Sequence, residues 1–144
     1  MDLAELADRA EINDLLARYT LAVDAQEWDR LDTVFTSDAH VDYTESGGIA
    51  DAYPVVKEWL AANLPLFSQR YLHTLGQVVV EFPEGGSRDE AVVTAYFHNP
   101  MRVVDGDAER VVEVGGRYHH RLVRTPQGWR SRRLREEVVW TRGF

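Results

Sequence analysis

At His73 the hydrophobic period of this chain changes from about 3.6 residues to two, and that change limits the folds open to it. Upstream, Leu3, Leu6, Ala10, Leu15, Leu16, Tyr19 and Val23 recur near helical spacing, with Asp8, Arg9, Glu11, Asp14 and Arg18 largely between them. This predicts an amphipathic helix that runs out at Asp24. Trp28, Leu31, Val34 and Phe35 predict a second, short helix closed by Thr36, Ser37 and Asp38. Val41 and Tyr43 alternate with Asp42 as in a brief strand, and Gly47 and Gly48 mark a loop. Pro54 suits the first turn of a third helix, with Val55, Val56, Trp59, Leu60 and Leu64, that ends at Pro65.

Downstream the alternation predicts strands over Thr74 to Phe82, Ala91 to Val104, Arg110 to Arg124 and Trp129 to Trp140. The connections are turn sequences: Glu84-Gly85-Gly86-Ser87, Asp105-Gly106-Asp107 and Thr125-Pro126-Gln127-Gly128. Pro100 inside the second strand calls for an edge or a bulge. Helices followed by a long antiparallel meander make an α+β domain, helices gathered on one side of a curled sheet. With 144 residues and no linker or repeat, we expect one domain over 1–144. On the third strand Val112, Val114, Gly116, Tyr118, His120 and Leu122 share the inner face; on the last, Leu134, Val138 and Trp140 lie together with Glu136.

Composition removes several function classes. The net charge of -8 opposes phosphate backbones and anionic lipid, and the run Arg130, Arg132, Arg133, Arg135 is split between two strand faces. No nucleic-acid or membrane partner is expected. With no cysteine there is no disulfide or thiolate chemistry, no stretch nears the roughly 18 apolar residues of a membrane span, and the acidic N-terminus is not a signal peptide. A cytoplasmic protein is expected. No Gly-x-Ser-x-Gly elbow, phosphate loop or dinucleotide fingerprint is present.

Chemistry then rests on a few side chains. An aspartate bonded to one ring nitrogen of a histidine fixes its tautomer and frees the other nitrogen to move protons, a service Asp24 and His73 could provide. Spacing leaves open whether they meet; a helix-end cap and a strand-opening histidine are the plain alternative. Tyr19 could donate to a substrate carbonyl, or be a core residue. His119 and His120 are strand neighbours that point to opposite faces, so no metal site is expected. A bulge at Asn99-Pro100 could turn His98 inward; otherwise it is solvated. Trp140 is core or pocket lid.

The run Leu6-Ala7-Asp8-Arg9-Ala10-Glu11-Ile12-Asn13-Asp14-Leu15-Leu16-Ala17-Arg18-Tyr19, then Val23-Asp24, Trp28-Asp29-Arg30-Leu31, Asp42-Tyr43, His73 and Gly128-Trp129, resembles the SnoaL-like branch of the nuclear-transport-factor-2-like superfamily. The resemblance implies a cone-shaped barrel: a strongly curved mixed, mostly antiparallel sheet with three N-terminal helices around a deep pocket. It implies functional likeness to scytalone dehydratase, hexachlorocyclohexane dehydrochlorinase and bile-acid 7α-dehydratase. By that likeness Asp24 and His73 fall on a catalytic dyad, and Tyr19 and Tyr43 on pocket tyrosines. Trp140 falls on a pocket tryptophan, and Leu134 and Val138 fall where related enzymes carry arginines. Tyr118 and His98 complete the substrate-binding set that we expect.

Those apolar replacements imply a greasier pocket that is less anion-seeking. No counterpart of the sheet carboxylate used by steroid isomerases stands out. The expected activity is a cofactor-independent, dehydratase-type elimination on an apolar cyclic small molecule. The alternatives are a polyketide cyclase or ketosteroid-type isomerase using the same dyad, or a non-catalytic binder of hydrophobic ligands. A homo-oligomer, dimer or trimer, is also implied, with Arg117, Arg121, Arg133 and Arg135 beside Glu113 and Glu137 on the open sheet face.

Overall fold

A computed structural model describes residues 1–144. Helix α1 covers Leu3–Asp24 and begins at Asp2, whose carboxylate accepts the Glu5 N–H at 2.8 Å. It buries Ile12, Leu15, Leu16, Tyr19, Ala22 and Val23 against the sheet. Its end is a Schellman motif: Glu27 N–H donates to Ala22 O at 2.8 Å and Gln26 N–H to Val23 O at 3.1 Å. Gln26 takes the left-handed position, φ 56°, where glycine is the usual residue.

A 3-10 helix follows at Trp28–Thr33, then β1 (Phe35–Asp42), a 3-10 turn at Thr44–Ser46, β2 (Ala50–Ala52) and α2 (Tyr53–Phe67). The remaining strands are β3 (Arg70–Tyr71), β4 (Thr74–Glu81), β5 (Glu90–Asp105), β6 (Ala108–Thr125) and β7 (Gly128–Arg142). They form one mixed sheet in the order β2-β1-β7-β6-β5-β3, with β4 also on β5. Only the β1 and β7 pairing is parallel. The sheet stays open and curves around α1, so the core lies between them.

Three local expectations change. The second helix is a single 3-10 segment, and the residues expected to close it, Thr36 to Asp38, are already in β1. Phe35 pairs with Ser131, and Ser131 N–H donates to Val34 O at 2.7 Å, so a long-range ladder overrides the local helical spacing. Pro65 does not stop α2, which continues to Phe67 with one intrahelical N–H fewer in its last turn. Pro100 lies in an interior strand, at the gap where β5 changes partner: Thr74 pairs with His98, Tyr71 with Met101, and between them Leu72 N–H reaches Pro100 O at 3.1 Å. The missing N–H therefore costs no ladder bond, and His73 leaves the ladder.

The far end of α1, about 24 Å along the axis from Asp24, is fixed by Asp8. Arg124 holds both its oxygens at 3.0 Å, Arg88 approaches at 3.3 Å, and the indole N–H of fully buried Trp129 donates to it at 3.2 Å. Hydrogen bonding to Arg124 keeps the Asp8 carboxyl below its ordinary range.

Two predictions follow from these contacts. Asp8→Ala leaves the buried indole N–H without an acceptor and should cost roughly 2 kcal/mol in denaturant unfolding at pH 7. Because a lowered carboxyl contributes stability above its unfolded value of 3.8, the difference from wild type should shrink as acid titrates through the folded value. Equal midpoints at pH 7 would contradict the assignment. Gln26→Gly should raise stability by up to about 1 kcal/mol by relieving the left-handed strain; a loss would show that the Gln26 side chain outweighs its backbone.

Candidate active site

The first question for Asp24 is why a carboxylate sits in the last turn of a helix at all. The helix dipole is negative there, no basic residue occupies that turn, and such a placement is locally unfavourable by roughly 0.3–1 kcal/mol. A cap at this end would need a donor. Instead the side chain turns to His73: Oδ1 meets ring Nδ1 at 2.6 Å, and Oδ2 accepts the His73 backbone N–H at 2.9 Å. Both Asp24 oxygens thus hold one residue. The backbone donor is the one released from the ladder beside Pro100, so the strand gap and the helix end are complementary halves of one contact.

An ionised carboxylate only accepts hydrogen bonds, so Nδ1 carries a proton, and in the neutral ring the lone pair is on Nε2. The ring is 9% exposed, packs edge-on to Tyr71 with centroids 5.9 Å apart, and lines a cavity of about 550 Å³. Tyr19 and Val23 from α1, Tyr43 after β1, Trp59 and Leu60 from α2, Met101 from β5 and Val114 from β6 form much of the wall. Phe67 and Phe144, stacked with centroids 6.1 Å apart, lie at the rim.

Tyr19 and Tyr43 meet hydroxyl to hydroxyl. One donates, leaving the other's proton for a third group. Tyr118, stacked on Phe97 at 4.2 Å, completes the aromatic floor. Burial pushes all three phenols well above their ordinary range, so they serve as neutral donors. Asp24, His73, Tyr19, Tyr43 and Tyr118 are therefore gathered at one place.

Four other expected residues are not. His98 lies on the outer face, its Nε2 2.9 Å from Glu113, because β5 turns Phe97, Asn99 and Met101 inward and His98 outward. Trp140 is also outside, tilted over His98 at 5.6 Å and lying across Gly115. A bulge explains it: Gly116 pairs with Val138 but Gly115 with Trp140, so Val139 is an extra residue and the phase of β7 inverts beyond it. A Cβ on Gly115 would overlap the indole, and one on Gly116 the Glu137 carbonyl. Leu134 is fully buried opposite His120, in the core rather than the cavity wall. Val138 is half-buried, its N–H held by Glu45 at 3.1 Å, and does not line the cavity.

The cavity also contains two polar groups to which the sequence assigns no role, although the alternation places Glu136 on the inner face of the last strand. Glu136 reaches it from β7 at 7% exposure with Oε1 unpartnered, and Asn99 from β5 at 8% with Oδ1 unpartnered. The signal was phase: each alternates with apolar neighbours that point inward. A sheet carboxylate thus reaches the cavity, on the strand face where the alternation puts it. Burial raises its proton affinity above that of an ordinary carboxyl, eased by Ser46 and His73 and reinforced by Glu45 and Asp42.

The neighbouring histidines diverge as expected: His119 pairs with Glu137 at 2.8 Å outside, while His120 is buried against Ser131 at 2.9 Å. A larger open groove of about 1100 Å³ between the 3-10 helix and α2 is charge-lined, with Lys57 set between Asp29 at 2.7 Å and Asp32 at 3.2 Å. It lacks an acid-base pair of the Asp24 and His73 kind.

A curved mixed sheet packed on helices encloses an apolar cavity, the architecture of a pocket protein. The chain belongs to the SnoaL-like domain family, whose model matches residues 4–135. It is 42% identical over 130 residues, 90% of this chain and 84% of the relative, to the uncharacterized protein Rv2910c of Mycobacterium tuberculosis. It superposes on a hexachlorocyclohexane dehydrochlorinase, LinA type 2, with TM-score 0.83 at 22% identity, over 98% of this chain and 91% of that one. A scytalone dehydratase candidate from Novosphingobium aromaticivorans superposes with TM-score 0.82 at 18% identity, over 97% and 89%. At these identities the two structures share the fold.

Ser131 Oγ donates to Arg133 O at 3.1 Å, so it accepts from His120 Nδ1–H, and the unpartnered Nε2 is a bare lone pair. Burial pushes the imidazole down to about 3. An unfolded histidine binds its proton near pH 6.5, so wild type should lose on the order of 5 kcal/mol as pH falls from 6.5 to about 3. His120→Leu should flatten that acid limb in pH-dependent denaturation; an unchanged limb would place its cause elsewhere.

Proposed function

We propose that this protein is a lyase that removes a proton from carbon with His73 and expels an oxygen-based group from an apolar, ring-bearing substrate. The observation that carries the reading is the double hold of Asp24 on His73, which ties up Nδ1 and leaves Nε2 as the free nitrogen of a ring that lines the cavity. Nε2 takes the proton next to a carbonyl, and the carbon–hydrogen electron pair forms the new double bond as the hydroxyl leaves. The Tyr19 and Tyr43 pair, neutral and within the same wall, supplies one free O–H to the carbonyl oxygen where charge develops.

Similarity in fold to a hexachlorocyclohexane dehydrochlorinase and to a scytalone dehydratase candidate supports elimination over other proton-transfer outcomes. The apolar lining, including Val23, Leu60, Leu64, Met101 and Val114, favours a ring-bearing ligand and excludes bulk water from the reacting atoms.

Positioned acid-base work is worth about 10² to 10⁴ in rate. Screening ring-bearing β-hydroxy ketones by mass spectrometry should reveal a product lighter by one water. His73→Ala and Asp24→Asn should each lower kcat by at least about 100-fold with the fold retained by circular dichroism. A product of unchanged mass would mean isomerisation. Full activity in His73→Ala would remove the mechanism.

A further inference from the structure

Glu136 is a buried, titratable side chain that the dyad does not use. It enters the cavity from β7, one carboxyl oxygen has no hydrogen-bond partner, and it shares the wall with His73. The groups facing it come from every element packed around it: Tyr19 from α1, Asp42, Tyr43 and Glu45 from β1 and the turn after it, His73 before β4, and Tyr118 from β6. None of them is a permanent cation, and a negative charge there is offset only in part, by the Ser46 hydroxyl and the His73 imidazole. Burial therefore favours the protonated form of this carboxyl, and a protonated carboxyl is a donor in want of an acceptor.

We propose that Glu136 is the acid of the reaction, protonating the departing oxygen while His73 takes the proton from carbon. The inference rests on the dyad reading and adds the second proton to it. The balance is complete within the two residues. His73 Nε2 gains the carbon proton, the carbon–hydrogen pair becomes the new π bond, and the carbon–oxygen pair leaves with oxygen. The Glu136 proton then makes that oxygen a neutral water. His73 is left as imidazolium and Glu136 as carboxylate, and one proton returned from the first to the second restores the site.

The separation of roles has a physical basis. His73 is ordered by an anion and holds an open lone pair, whereas burial pushes Glu136 above the ordinary carboxyl range. Such divergent environments assign base and acid. The unpartnered Asn99 Oδ1 in the same wall suits a ligand with a second hydroxyl or N–H, so the favoured ligand is neutral, with donors as well as an acceptor.

The test uses the whole protein, its isosteric Glu136→Gln variant and His73→Ala. Two ring probes have an acidic carbon–hydrogen bond and an oxygen leaving group: 1,2-benzisoxazole, whose leaving oxygen is the more basic, and 5-nitro-1,2-benzisoxazole. The first should need the acid far more. Glu136→Gln is expected to cut kcat/KM about 100-fold on 1,2-benzisoxazole, little on the nitro compound, and to remove the alkaline limb of the pH profile. In carboxyl carbon NMR one glutamate, absent from the variant, should titrate well above the others. Equal losses on both probes, an unaltered pH profile or an ordinary titration would overturn the role of Glu136 and leave the dyad standing. Turnover that survives His73→Ala, or no turnover of either probe, would remove the dyad reading and this inference with it.

Discussion

One carboxylate holding one histidine by two donors organises this molecule. Asp24 bonds both the backbone N–H and the ring Nδ1 of His73, and neither half would suffice alone. The ring bond without the backbone bond would leave the chain free to turn the imidazole away. The backbone bond without the ring bond would leave its tautomer unset. Much of the surrounding architecture keeps the two groups in register: the length of α1, the Schellman stop at Gln26, and the gap in the β5 ladder at Pro100 that frees the His73 N–H.

This arrangement runs against local stability. A carboxylate at the negative end of a helix, a glutamine in a left-handed position and unpartnered polar atoms on Glu136 and Asn99 are each unfavourable by themselves. Asp24, through His73, and Glu136 and Asn99 meet at one cavity. Elsewhere the chain follows local rules closely, with Asp2 capping α1, Asp8 satisfying the Trp129 indole and charges on the outer face paired within the chain, as in Arg117 with Glu137. Other exceptions lie outside the cavity, among them Arg88 at φ 55° and the unpartnered Nε2 of buried His120, but only at the cavity do they accompany an acid-base pair.

How far this could be read from the chain depended on distance along it. The change of period at His73 and the inner face of β6 are local patterns, and the structure keeps both. Asp24 and His73 were visible as residues, but their contact spans 49 positions and no spacing encodes it. The second helix was misleading because Trp28, Leu31, Val34 and Phe35 keep helical spacing into a segment that the β7 ladder claims as strand. Trp140 was placed by phase counting, which a single extra residue at Val139 inverts, and the glycine pair at Gly115 and Gly116 was the one local hint. Glu136 had the right phase all along, but a lone acid on a strand carries no chemistry until the cavity around it is known.

The most direct measurement of the central contact is the nitrogen NMR spectrum of the His73 side chain, taken at a pH where the ring is neutral. The account predicts a proton on Nδ1, a bare Nε2 and a low-field Nδ1–H resonance, with that preference lost in Asp24→Asn. A ring protonated on Nε2, or a spectrum indifferent to Asp24, would contradict it.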